Sequence, residues 1–90
     1  VSAPDLSVVI VTYRSERDID ECLTSVRTAL AGMRADIVVV DNASGDRTVE
    51  VVRRHPDVTV VALDRNVGFG AGINAGLRAT TGRYVLWMNP

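Results

Sequence analysis

Apolar runs that stop abruptly in polar clusters set the strongest limit on what this chain can become. Ile37-Val38-Val39-Val40 runs straight into Asp41-Asn42-Ala43-Ser44-Gly45-Asp46. The same shape recurs where Leu6-Ser7-Val8-Val9-Ile10-Val11 meets Thr12-Tyr13, and where Arg83-Tyr84-Val85-Leu86-Trp87-Met88 meets Asn89-Pro90. Near-continuous apolar strands are expected when helices cover both faces of a parallel sheet. In an open sheet of that kind, ligands bind beyond the carboxyl ends of the strands, where the strand order reverses. Polar residues gathered at that end of three strands describe half of a ligand crevice.

The segments between the runs have a helical period. The first strand covers Leu6–Thr12, and Ser15 or Asp18 then opens a helix. Ile19, Cys22, Leu23, Val26 and Leu30 fall on one face of it, and Gly32 is its stop. The second strand is Asp36–Asp41. Asp46 is a good N-cap for a short helix with Val49 and Val52 inward, ended by His55-Pro56. The third strand is Val58–Leu63. A glycine-rich turn and a small-residue helix, Gly70–Thr80, with Ile73 and Leu77 on one side, lead to the fourth strand, Tyr84–Met88. Right-handed crossovers turn this βαβαβαβ order into a parallel sheet flanked by helices. The long, glycine-bearing third crossover suits a jump to the far side of strand one. The expected order is therefore 3-2-1-4, a Rossmann-like α/β sheet with its switch point between strands one and four.

Ninety residues make one domain, 1–90. A net charge of −1 argues against a nucleic-acid partner or an anionic membrane surface. No apolar run approaches the roughly 18–20 residues that span a bilayer, so no membrane segment is expected in this chain. The single cysteine, Cys22, cannot form an internal disulfide. That fits a reducing compartment, and a cytoplasmic location is expected, with membrane association of a full-length protein left open. The spacing of Cys22 with Ile19, Leu23 and Val26 makes it helix core rather than a catalytic thiol. Because the chain starts at Val1 rather than Met, a trimmed N-terminus is expected.

Gly68-Phe69-Gly70-Ala71-Gly72-Ile73-Asn74-Ala75-Gly76 invites comparison with a dinucleotide fingerprint. That fingerprint follows a first strand and opens a first helix. Here it follows the third strand, and the first strand–helix turn, Thr12-Tyr13-Arg14-Ser15, has no glycine. Small residues would let this helix lie tightly against its neighbours and let a bulky group approach its start. No Walker-type lysine motif is present, which excludes a P-loop. At the strand ends, the Tyr13 ring offers a flat face for a base. Asp41-Asn42 offers a carbonyl-type acceptor for a pyrimidine imino proton, although the pair also reads as turn and cap. His55 reads as a surface or helix-terminal residue.

Four segments together resemble the inverting family 2 glycosyltransferases of GT-A type, nearest to their rhamnosyltransferase-like branch. They are Ser7–Tyr13, Val39–Ser44, Asn66–Gly70 with Asn74 and Gly76, and Gly82–Pro90. The resemblance implies the nucleotide-binding N-terminal half of a nucleotide-diphospho-sugar transferase. Thr12 and Tyr13 would line the base pocket, and Asp41 or Asn42 would contact the pyrimidine or ribose. Asn66, Gly68 and Asn74 would border the sugar nucleotide, and Glu16 is carried with them as a binding residue. The implied donor is UDP- or dTDP-linked, and the implied acceptor is a glycan or a lipid-linked hydroxyl. The implied Mg²⁺ or Mn²⁺ site and the catalytic base would lie beyond Pro90, so neither catalytic nor metal residues are expected here. The chain would then be a fragment, inactive alone. The alternative is a non-catalytic nucleotide- or sugar-binding module of the same fold. Arg14 departs from the family, which commonly has Asn after the tyrosine.

Overall fold

The computed structural model describes residues 4–90; Val1–Ala3, part of the expected 1–90 domain, lie outside the described residues. Seven elements alternate: β1 (Leu6–Thr12), α1 (Ile19–Ala29), β2 (Ala35–Asp41), α2 (Thr48–Val52), β3 (Val58–Ala62), α3 (Phe69–Leu77) and β4 (Tyr84–Met88). They form one sheet in the order β3-β2-β1-β4, with every pairing parallel. Thr12 lies opposite Asp41, and Asp41 opposite Ala62, so the polar ends of β1 and β2 are level.

Strand alternation sends the side chains of β1 and β2 to two separate cores. Val8, Ile10, Ile37 and Val39 meet Ile19 and Leu23 of α1 and Val51 and Val52 of α2. On the opposite face, Val9, Val11, Val38 and Val40 meet α3 through Ile73 and Ala75. Cys22 is half-buried against the first core, where burial pushes its thiol pKa up and keeps it protonated.

Four details differ from the sequence expectation. In α2 the inward residues are Thr48, Val51 and Val52, while Val49 is half-buried. A five-residue helix has a single face, and the β2–α2 turn sets which residues occupy it. Asp46 stands one residue outside the helix start, yet its carboxylate still accepts the Thr48 N–H (2.9 Å) and hydroxyl (2.6 Å). In α3 the buried residues are Gly72 and Gly76, and Leu77 is exposed. A Cβ on Gly76 would sit 2.4 Å from Val9 Cγ1, so the backbone itself is the contact surface. Finally, β4 is apolar but only partly covered: Val85 and Met88 pack against the two cores, while Tyr84, Leu86 and Trp87 are all more than half exposed. Among the described residues it pairs with β1.

Candidate functional site

The turns that leave β1 and β2 are tied together by side chains whose polar groups point back into the protein. Thr12 is fully buried and donates its hydroxyl to Asp41 Oδ1 (2.8 Å). The same carboxylate accepts the Ser44 hydroxyl (2.5 Å) at Oδ1 and the Ser44 N–H (3.0 Å) at Oδ2. Ser44 Oγ in turn accepts the N–H of Arg14 (2.8 Å), and Thr48 Oγ1 accepts that of Ser15 (2.9 Å). Arg14 and Ala43 both have left-handed backbones, with φ of 51° and 56°. Residues with a Cβ adopt that conformation only where surrounding contacts enforce it. These hydrogen bonds are the enforcing contacts at Arg14.

Asn42 does the corresponding job for the third crossover. Its Oδ1 accepts the Val67 N–H (3.1 Å) and its Nδ2 donates to the Gly68 carbonyl (3.1 Å). Both bonds require one orientation of the amide. Asn66 Oδ1 accepts the Gly68 N–H (2.8 Å), and Gly68 takes φ 85°, a left-handed conformation suited to glycine, as it opens α3.

Between these turns and the end of β4 lies an open cavity of about 480 Å³. Thr12, Tyr13, Asn42, Asn66 and Gly68 line it, together with Arg14, Ser15, Asp18, Phe69 and Asn89. It sits at the carboxyl ends of β1 and β4 beside β2, where the strand order changes direction. Five of the eight residues singled out from the sequence are thus brought together. The other three are not in its wall. Asp41 is buried beneath it with both carboxylate oxygens engaged, Glu16 is half-buried in the β1–α1 turn, and Asn74 is exposed on α3.

Arg14, Ser15, Asp18 and Phe69 escaped the sequence reading. Asn89 was open to detection by the strand-end pattern that found Asn42. Arg14 and Phe69 are exposed side chains whose position depends on the turns rather than on any periodicity. Among the described residues no three His, Cys, Asp or Glu side chains come together to hold a metal, and no helix is long and apolar enough to cross a membrane. His55 is away from the cavity. Its Nδ1 accepts from Arg27 Nη2 (2.9 Å) and its Nε2 donates to Asp20 (2.5 Å), which bridges α1 to the turn before β3.

Known proteins are similar to this chain in sequence and in fold. The succinoglycan biosynthesis protein ExoO of Rhizobium meliloti (strain 1021) is 40% identical over 86 residues, covering 91% of this chain and 24% of the relative. The crystal structure of S. aureus TarS 1-349 in complex with UDP-GlcNAc superposes with a TM-score of 0.84 at 32% identity, over 94% of this chain and 26% of that one. A mannosyltransferase, PcManGT from Pyrobaculum calidifontis in complex with GDP-Man and Mn²⁺, superposes with a TM-score of 0.85 at 31% identity, over 99% and 28%. The chain therefore spans about a quarter of the length of these relatives. Residues 7–90 match the family model described as Glycosyl transferase family 2, and on that match the chain belongs to this glycosyltransferase family, its sheet forming the Rossmann-like N-terminal half of the GT-A fold.

Proposed function

We propose that these residues bind the nucleotide of a nucleotide-diphosphate sugar, UDP- or dTDP-linked, for inverting transfer to a hydroxyl of a glycan or lipid-linked acceptor by the full-length protein. The observation that carries this reading is the cavity at the switch point, with an exposed aromatic ring, Tyr13, in the same wall as the fixed amide of Asn42. In this reading the base stacks on Tyr13. Asn42 Oδ1, which spends one lone pair on Val67, offers the other to a pyrimidine N3–H. Asn66 and Gly68 border the ribose and diphosphate. Thr12 and Asp41 hold the two turns in register instead of touching the ligand, since their polar atoms already pair with each other and with Ser44. Glu16 and Asn74 are given no contact.

The UDP-GlcNAc bound by TarS supports a uridine donor; the GDP-Man bound by PcManGT supports a second reading with a guanosine donor. A Mg²⁺ or Mn²⁺ ion, whose role would be to neutralise the departing diphosphate, finds no ligand cluster among the described residues. We assign its site, and the base that deprotonates the acceptor, to sequence outside residues 4–90.

Titration of UDP, dTDP, GDP and ADP into the full-length protein tests the donor, with Tyr13→Ala and Tyr84→Ala as paired variants. Tyr13 is in the cavity wall, whereas Tyr84 starts β4 at the other end of the sheet. Loss of Tyr13 should weaken nucleotide binding by about 1–3 kcal/mol, as for other base–aromatic stacks, and loss of Tyr84 should leave it unchanged. Equal affinities for the two folded variants would remove Tyr13 from the pocket. A preference for GDP over UDP would replace the pyrimidine donor with the guanosine one.

A further inference from the structure

Arg14 and Asp18 are the two charged residues in the wall of the strand-end cavity, and Arg14 is the cation. Its backbone is held in the left-handed region by the N–H bond to Ser44, so the side chain leaves the β1–α1 turn in an imposed direction. The guanidinium lies 5.4 Å from the centroid of the Tyr13 ring, in the range of a cation–π contact. Its charge also acts on Asp46, whose carboxyl pKa it helps to lower after the larger effect of the Thr48 hydroxyl, though among the described residues no hydrogen bond fixes the guanidinium there. A planar cation with hydrogen-bond donors thus stands beside the aromatic ring proposed to receive the base.

We infer that Arg14 is a specificity-determining residue that selects bases with a keto oxygen over those with an amino group at the same place. The inference rests on the nucleotide-binding reading of this cavity and deepens it. Arg has donors and no acceptor. It can pair with O4 of uracil or thymine, or with O6 and N7 of guanine. Cytosine and adenine present an amino group where those oxygens stand, and two donors then face each other. The neighbouring amide cannot adapt to compensate, because Asn42 would have to break its bonds to both Val67 and Gly68 to turn over. Arg14 thereby reads a feature that uridine, thymidine and guanosine donors share, and the choice among them is left to the rest of the pocket.

Nucleotide affinities of the full-length protein, measured calorimetrically for UDP, CDP, GDP and ADP, test this on the wild type, Arg14→Gln and Arg14→Lys. Gln has both a donor and an acceptor, and can serve either kind of base by rotating its amide. The wild type should bind UDP about tenfold or more tighter than CDP, and likewise GDP over ADP. Arg14→Gln should lower both ratios by about tenfold while its melting temperature stays that of the wild type. Arg14→Asn, whose side chain tolerates the left-handed backbone and also carries both a donor and an acceptor, serves as a second variant if Arg14→Gln fails to fold. Binding of all four nucleotides without a keto preference, or a preference that Arg14→Gln leaves intact, overturns the inference and leaves nucleotide binding standing. So does an equal loss for all four nucleotides that Arg14→Lys restores, since that is the signature of a charge acting on the diphosphate. Failure of every nucleotide to bind the folded wild type overturns the binding reading itself, and this inference with it.

Discussion

On the α1–α2 face of the sheet, branched side chains meet branched side chains; on the α3 face, glycines meet valines. Ile19 and Leu23 are fully buried, and their side chains stand between α1 and the strands. Gly72 and Gly76 instead let the backbone of α3 rest directly on Val9, Val11 and Val40. The consequence lies at the cavity. Close approach brings the start of α3 near enough for Asn42, at the end of β2, to clamp Val67 and Gly68. The side-chain-rich face supplies stability, and the glycine face supplies the positioning of a site wall. The first face is closed off further by an ionic clip, in which Arg27 donates to both oxygens of Asp57 (2.8 Å each) and to His55.

If the two faces are built this way, opposite changes in volume should damage them. Leu23→Ala leaves a void under α1, and its expected cost is about 3 kcal/mol in a denaturant melt. Nucleotide affinity of the folded fraction should stay unchanged, because Leu23 is not in the cavity wall. A loss under about 1 kcal/mol would mean that α1 settles into the void and that this face is softer than its packing suggests.

On the other face Gly76→Ala adds one methyl group and should cost about 2 kcal/mol net. Overpacking against Val9 (2.4 Å) and Val40 (3.0 Å) outweighs the better helix propensity of alanine. The clashing atoms belong to β-branched side chains on the two innermost strands, which have little room to turn. Val9→Ala in the same chain should recover most of the loss. If Gly76→Ala is neutral, or Val9→Ala gives no rescue, the close approach is not what the glycine provides.

Gly72→Ala separates positioning from stability. Its added Cβ would lie 3.1 Å from Val11 Cγ1 and 3.3 Å from Asn42 Nδ2. The stability cost should be small, about 1 kcal/mol or less, while nucleotide affinity falls severalfold through the displaced amide. Unchanged affinity would detach the α3 contact from the site.

The smallest expected effect concerns the clip. The hydrogen bond from Arg27 holds the Asp57 carboxyl below its usual value of 3.8, against a smaller opposing effect of desolvation. A folded pKa that is lower than the unfolded one stabilises the fold above the unfolded value and ceases to do so as pH falls through the folded one. Wild-type stability should therefore drop below about pH 4 more steeply than that of Asp57→Asn. The difference should stay under about 1 kcal/mol, because the pair is solvent-exposed. Asp46, lowered by its hydrogen bond from the Thr48 hydroxyl, acts in the same direction in both chains. Parallel urea-midpoint profiles between pH 2.5 and 6 would show that the clip contributes nothing.

Strand positions, helix order and the 3-2-1-4 sheet were legible in the sequence because each rests on local regularities. Apolar runs, a 3.6-residue period and the placement of polar turns survive whatever the tertiary contacts are. The same regularities put Thr12, Tyr13, Asn42, Asn66 and Gly68 at one end of the sheet. What they could not resolve is which way a polar side chain faces once it arrives there. Asp41 and Asn42 are adjacent and chemically alike, yet one is spent on Thr12 and Ser44 while the other borders the cavity. That outcome goes with the left-handed turn at Arg14, which is held by a hydrogen bond between two separate strand ends. The sequence by itself determined the elements, their order and the end of the sheet where the polar-lined cavity lies, since those follow from spacing along the chain. The tertiary structure alone decided which polar groups remain free to meet a ligand, since a hydrogen bond across some thirty residues has no local signature.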